Sequence, residues 1–156
     1  MPNGERGTYL RVVESRGRPG VAVLPLWNNR VGLVRTFRYP LGEWEWGIPR
    51  GFGKVHDVRA SALDELTEEL GAAPDELVSL GEVAPNSGLL ASKVHAFLAR
   101  YSRMPTGPID TDEVHGVRWI TTHELRSEIS SGLIPDAFTL SAAFLATLKG
   151  HLTGVS

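Results

Sequence analysis

Cysteine is absent from the 156 residues, which removes a disulfide framework, a thiol nucleophile and thiolate metal ligands together. Metal binding, where it occurs, falls to carboxylates and five histidines. An excess of positive charge is missing as well. The 16 Lys and Arg stand against 18 Asp and Glu, a formal net charge of -2, so the broad field behind non-specific nucleic-acid binding is excluded and any anion site is local. Long apolar runs are lacking too: no stretch approaches the roughly 18 apolar residues of a membrane span. Met1 to Arg11 has no signal-peptide apolar core. The expectation is a soluble, cytoplasmic protein with neither nucleic acid nor membrane as a partner.

What is present is the composition of a globular chain, 42% hydrophobic and 22% charged, with four Trp, three Tyr and five Phe. At this length one sizeable core is expected. Thr8 to Glu14 alternates in the manner of a strand, and Ser15 to Gly20 follows as a linker or a turn, so residues 1–20 are expected to form an N-terminal strand and loop. Val21 to Trp27 and Val31 to Phe37 are β-rich runs around Asn28-Asn29-Arg30, a hairpin signal because Asn tolerates positive φ. Tyr39 to Gly53 is rich in Trp, Gly and Pro and receives no strand.

Asp57 to Leu70 spaces Ala62, Leu63, Leu66 and Leu70 as an amphipathic helix closed by Gly71. Leu77 to Val83, Lys93 to Arg100 and Val114 to Ile120 read as strands. Thr121 and Glu124 form a capping box before a helix ending near Gly132, and Asp136 to Leu148 is a further helix with apolar Phe138, Phe144, Leu145 and Leu148. These elements predict a mixed sheet covered by helices.

The informative helix carries Asp64, Glu65, Glu68 and Glu69 within two turns. Like charges at i,i+4 cost about 0.2 to 0.5 kcal/mol per pair. Three of these carboxylates can converge on a hard cation such as Mg²⁺, which prefers oxygen ligands and bridges to phosphate; the plainer reading is a solvated acidic helix face.

With the entry Arg50-Gly51-Phe52-Gly53, the segment resembles the Nudix hydrolase family, whose box is G-x5-E-x7-R-E-U-x-E-E-x-G-U with U aliphatic. Anchored on Gly71, the resemblance places Glu65 at the RE glutamate, Leu66 at U, Glu68 and Glu69 at the EE pair and Ala72 at the last U. Three departures are specific. Gly51 to Gly71 is one residue short, Asp64 replaces the box arginine, and the first box glutamate falls on His56, which leaves Asp57 as helix N-cap, or on Asp57 itself if the gap lies later. Leu33 to Pro40, Trp44 to Gly51, Gly81 to Gly88, Asp112-Glu113 before Val117 to Ile120, and Ser131 to Asp136 are similar to segments of the ADP-ribose pyrophosphatase branch. The loop Ala84 to Gly88 lacks a proline immediately before its glycine.

The resemblance implies an α+β fold, a Nudix-type α/β/α sandwich with a mixed sheet over residues 21–156. It implies Mg²⁺- or Mn²⁺-dependent hydrolysis of a nucleoside diphosphate linked to another moiety, with ADP-ribose or a related nucleotide sugar favoured. Glu65 and Glu69 would hold metal with Glu68 assisting, and the Arg50 carbonyl would be a further ligand. Glu68 is also counted among the catalytic acids. The loop Asp110 to Glu113 would supply the acid that activates water, Glu113 before Asp112. A homodimer is implied, as is an alternative: a catalytically weakened Nudix-fold module that binds or senses a nucleotide.

Arg35 and Arg38 are read as sharing a strand face with Phe37 and Tyr39 between them, an arginine fork beside an aromatic platform for phosphate and base; an ordinary exposed strand face is the competing reading. Trp46, Arg50 and Gly51 complete the substrate-binding expectation, although for Trp44 and Trp46 a core or dimer-interface role is the favoured reading of the residues themselves. His95 reads as structural, His115 and His123 lack metal-site spacing, and Ser87 and Ser92 lack a triad.

Overall fold

The computed structural model describes residues 4, 6–53, 57–108 and 112–153. His56 of the degenerate box and Asp110 and Thr111 of the acidic loop lie outside the described residues. Among the described residues, seven strands and three α-helices follow in the order β1 (Gly20–Trp27), β2 (Arg30–Arg38), β3 (Glu43–Gly47), β4 (Arg50–Phe52), α1 (Val58–Leu70), β5 (Glu76–Val83), β6 (Val94–Tyr101), β7 (Val114–Thr121), α2 (Thr122–Ser130) and α3 (Ala137–Leu148). The sheet runs β3-β2-β1-β6-β5, with β4 added to β1 and β7 to β2. Only β1 and β6 pair in parallel, so the sheet is mixed.

β1 lies at its centre because Gly-Val-Ala-Val-Leu-Pro-Leu is apolar on both faces, the pattern of a strand covered twice. Val21 and Val23 join one core cluster with Ala62, Leu66 and Leu70 of α1. Ala22, Leu24 and Leu26 join the other, with Leu125 of α2 and Ala142, Ala143 and Ala146 of α3. Pro25 is tolerated in so central a strand because β4 registers only with Gly20–Ala22 and β2 only with Leu26–Trp27. Its missing N–H falls between them. Asn28 and Asn29 turn the β1–β2 hairpin at φ 46° and 57°, as the dipeptide predicted.

Two expectations are corrected. Thr8 to Glu14 is not a strand: it makes one isolated bridge, Val12 with Leu90, before a 3₁₀ turn at Glu14–Gly17. Alternation alone has no partner to pair with, and Leu10 remains 84% exposed. The segment instead straps the loop before β6, through Val12 N–H to the Leu89 carbonyl at 2.8 Å and Ala91 N–H to the Val12 carbonyl at 3.0 Å. Conversely, Tyr39 to Gly53 contains β3 and β4. Among the described residues no helix is long and apolar enough to cross a membrane.

Candidate active site

The site is built around α1. Asp57 caps it, accepting from the backbone N–H of Arg59 at 2.8 Å and of Ala60 at 3.3 Å, the role that the His56 register left to it. Gly71 ends it at φ 76°, where a Cβ would also collide with the Gly107 carbonyl. With Ala62, Leu66 and Leu70 pressed on the sheet, Glu65 and Glu68 are half-buried and Asp64 is exposed.

Glu69 is drawn deepest, only 5% exposed. Its Oε2 is buried with no hydrogen-bond partner. Burial, then the negative charges of Glu65 and Glu113, push its carboxyl up to about 8, against the opposing pull of Arg38 and a backbone hydrogen bond from Arg50. Each unfavourable influence is one that a nearby cation reverses.

β4 supplies the opposite wall. A Cβ on Gly51 would collide with the Glu65 carboxylate, so glycine lets that side chain lie directly against the strand backbone. Above it opens a cavity of about 530 Å³ whose lining includes Arg38, Arg50, Gly51, Glu65, Glu68 and Glu113. Of the expected site residues, these six line one space and Glu69 lies beneath them. Burial, then the charge of Arg50, holds the Arg38 guanidinium below its ordinary range. Arg38 pairs with Glu45 at 3.6 Å, too long for a hydrogen bond, and its Nε is buried without one. Arg50 meets Asp136 at 2.9 Å and stacks on Phe138 at 4.8 Å.

A second cavity shares Arg38 and Glu113 with the first and adds Phe37, Tyr39, Trp44, Asp112 and His115. Here the arginine fork is corrected. The β2–β3 register is unbroken from Val34 to Arg38, so positions 35 and 38 point to opposite faces. Arg38 reaches both cavities, while Arg35 lies over Trp44 at 5.3 Å and lines neither. Trp46 also lines neither: its ring packs on the core and carries the Arg118 guanidinium at 4.4 Å. Trp44 takes the exposed place, edge-on to His115 at 4.5 Å and to Phe37 at 5.3 Å.

Two residues at this site, Glu14 and Asp136, carry no earlier expectation of a site role. Glu14 lines the first cavity, held by the Ser92 hydroxyl at 2.6 Å, which gives Ser92 a donor role. Asp136, predicted only as a helix start, anchors Arg50. Neither has a local signal, because each partner is remote in sequence.

Among the described residues no three acids or histidines are already drawn together as a metal cluster, as expected for like charges without a counter-ion. The donor set nevertheless fits a hard divalent cation. It offers oxygen ligands only, one of them an orphaned buried oxygen, beside a glycine that admits a second carboxylate.

The chain is similar to known proteins over most of its length. The model of the NUDIX domain matches residues 16–139. The chain is 29% identical to a methanol dehydrogenase activator of Bacillus methanolicus, over 97% of this chain and 83% of that protein. It is 29% identical, with the same coverage, to an ADP-ribose pyrophosphatase of Bacillus subtilis (strain 168). Among solved structures, an ADP compounds hydrolase superposes with a TM-score of 0.74 over 96% of this chain and 83% of that one, at 19% identity.

Proposed function

Because the chain belongs to the Nudix domain family and is a Nudix-type pyrophosphohydrolase, we propose that it hydrolyses a nucleoside diphosphate linked to another moiety, with ADP-ribose or a related nucleotide sugar as substrate. The observation that carries this reading is the partnerless Glu69 oxygen beneath a cavity walled on one side by Glu65 and Glu68 and on another by Arg38 and Arg50. Acids on one wall suit a cation, guanidiniums on the other suit phosphate oxygens, and a diphosphate needs both.

Glu65 and Glu69 would hold Mg²⁺ or Mn²⁺, with Glu68 and the Arg50 carbonyl as candidate further ligands. When bound, the cation neutralises the diphosphate and lowers the pKa of a coordinated water. Arg38 and Arg50 grip phosphate oxygens, and Gly51 keeps the strand backbone open to them. Glu113, which faces Glu69 and lies where the two cavities meet, takes a proton from the attacking water, with Asp112 as the second choice. The aromatic second cavity, through Trp44 and Tyr39, receives the base or the other moiety.

The alternative of a weakened sensing module has less support, since carboxylates and guanidiniums alike are retained around the cavity. A homodimer accounts for the exposed Tyr9, Leu10 and Val13, and the cytoplasm suits a cysteine-free, nucleotide-processing chain. The test is a panel of ADP-ribose, NADH, sugar nucleotides, dinucleoside polyphosphates and nucleoside triphosphates with Mg²⁺ or Mn²⁺. Turnover fastest on ADP-ribose or a sugar nucleotide supports the proposal. Exclusive turnover of triphosphates contradicts it.

A further inference from the structure

Arg50 lies on the cavity wall close enough to Arg38 for the two guanidiniums to repel, and a long, mobile cation in that position would swing toward water. One side chain opposes this. Asp136, whose side chain is 3% exposed, faces Arg50 Nη1 with Oδ1 at 2.9 Å. Its other oxygen, Oδ2, caps α3 by accepting from Thr139 N–H at 2.9 Å and from the Thr139 hydroxyl at 2.6 Å. Capping a helix needs only that second oxygen; the first is spent entirely on Arg50.

Thr139 extends the clamp, because its Oγ accepts from Ile48 N–H at 3.0 Å, fixing the backbone two residues before Arg50. Phe138 underlies the guanidinium. Gly47 makes the approach possible: a Cβ there would lie 3.1 Å from Asp136 Oδ2 and force the carboxylate back. Helix cap, strand backbone and guanidinium thus form one connected unit, buried at Asp136 and open to the cavity at Arg50.

We propose that Asp136 is a positioning residue for anion binding: from the N-cap of α3 it holds the Arg50 guanidinium on the cavity wall beside Arg38, presented to the substrate's diphosphate. The proposal rests on the diphosphate reading of the cavity. Asp136 itself touches no substrate.

The experiment compares wild type, Asp136→Asn, Arg50→Gln, their double variant and Gly47→Ala. Each is assayed with ADP-ribose and Mg²⁺, with inorganic pyrophosphate as competing probe and thermal melting alongside. Asn keeps the cap but loses the charge. Asp136→Asn should therefore fold, with KM for ADP-ribose and Ki for pyrophosphate raised roughly tenfold and kcat within about twofold, the signature of lost uniform binding. Arg50→Gln should match it, the double variant should be no worse than either single, and Gly47→Ala should move the same way by less. A lowered melting temperature with unchanged KM and Ki would reduce Asp136 to a helix cap, and additive effects in the double variant would sever it from Arg50. Either result overturns the proposal while leaving the diphosphate reading intact. A wild type that neither turns over ADP-ribose nor binds pyrophosphate overturns both.

Discussion

Two carboxylates are buried to nearly the same depth, Glu69 on α1 at 5% exposure and Asp136 at the start of α3 at 6%, on helices that cover opposite faces of the sheet. Asp136 has every oxygen engaged, by Arg50 and by Thr139. Glu69 has one oxygen engaged by nothing, two acids for neighbours, and a carboxyl pushed up to about 8. A buried carboxylate is expensive unless paired. The paired one is satisfied within the chain, from which it positions Arg50; the unpaired one is, under the proposed function, the place for a bound cation. Burial alone does not separate an acid that acts through a protein partner from one left open to a ligand, whereas partner satisfaction does.

The largest expected effect breaks the unpaired member. Glu69→Gln should lower Mg²⁺-dependent kcat by roughly 10³, the scale of several kcal/mol of lost metal-derived stabilisation, measured in steady state at saturating metal. Glu113→Gln should follow at about 10² in kcat with little change in KM, as for a lost general base; unchanged rates in both Glu113→Gln and Asp112→Asn would remove that loop from the chemistry.

Stability sharpens the comparison with opposite signs. In chelator-treated protein near neutral pH, Glu69→Gln should raise unfolding free energy by about 1 kcal/mol, since folding holds that carboxyl protonated far above its ordinary pKa, a cost that Gln does not carry. Asp136→Asn should lower it by about 2 kcal/mol, since it breaks a charge-assisted bond. Urea unfolding of both variants checks the signs. The smallest effect belongs to a third acid, exposed but partnered. Glu124 accepts from the Thr121 backbone at 2.7 Å, and that bond holds its carboxyl below the ordinary value of 4.5. Its folded-state pKa being depressed, its contribution is present above about pH 4.5 and is lost as pH falls through the lower folded value. Melting curves between about pH 5 and pH 3 should fall more steeply for wild type than for Glu124→Ala.

Local signals read well where one element carried them alone. Ala62, Leu66 and Leu70, the Asp57 cap and the Gly71 terminus define α1 within the helix itself, and Thr121 with Glu124 does the same for α2. β3 and β4 stayed hidden because they are five and three residues long and separated by Pro49. Thr8 to Glu14 failed as a strand for want of a partner, a property no alternation pattern contains. In α3 the sheet receives Ala142, Ala143 and Ala146 while Phe144 is left 63% exposed, because close helix–sheet packing favours small side chains over the bulky residues that marked the periodicity. At the site, the carboxylates shared one helix and were legible together. Strand parity sets Arg35 on the face opposite Arg38, against the expected fork, and Trp46, expected either at the substrate or in the core, packs on the core beneath Arg118. The Ile48 to Thr139 bond spans 91 residues, beyond any local reading.

The proposed function has a divalent cation complete the unpaired oxygen of Glu69. The most direct measurement is the melting temperature of chelator-treated protein titrated with Mg²⁺ or Mn²⁺ in the absence of substrate. A ligand that binds only the folded state stabilises it by about 2.7 kcal/mol at a hundred times its Kd. Metal should raise the melting temperature of wild type and of Asp136→Asn, and leave that of Glu69→Gln unchanged. An equal rise in Glu69→Gln would contradict the proposed site and place the metal elsewhere.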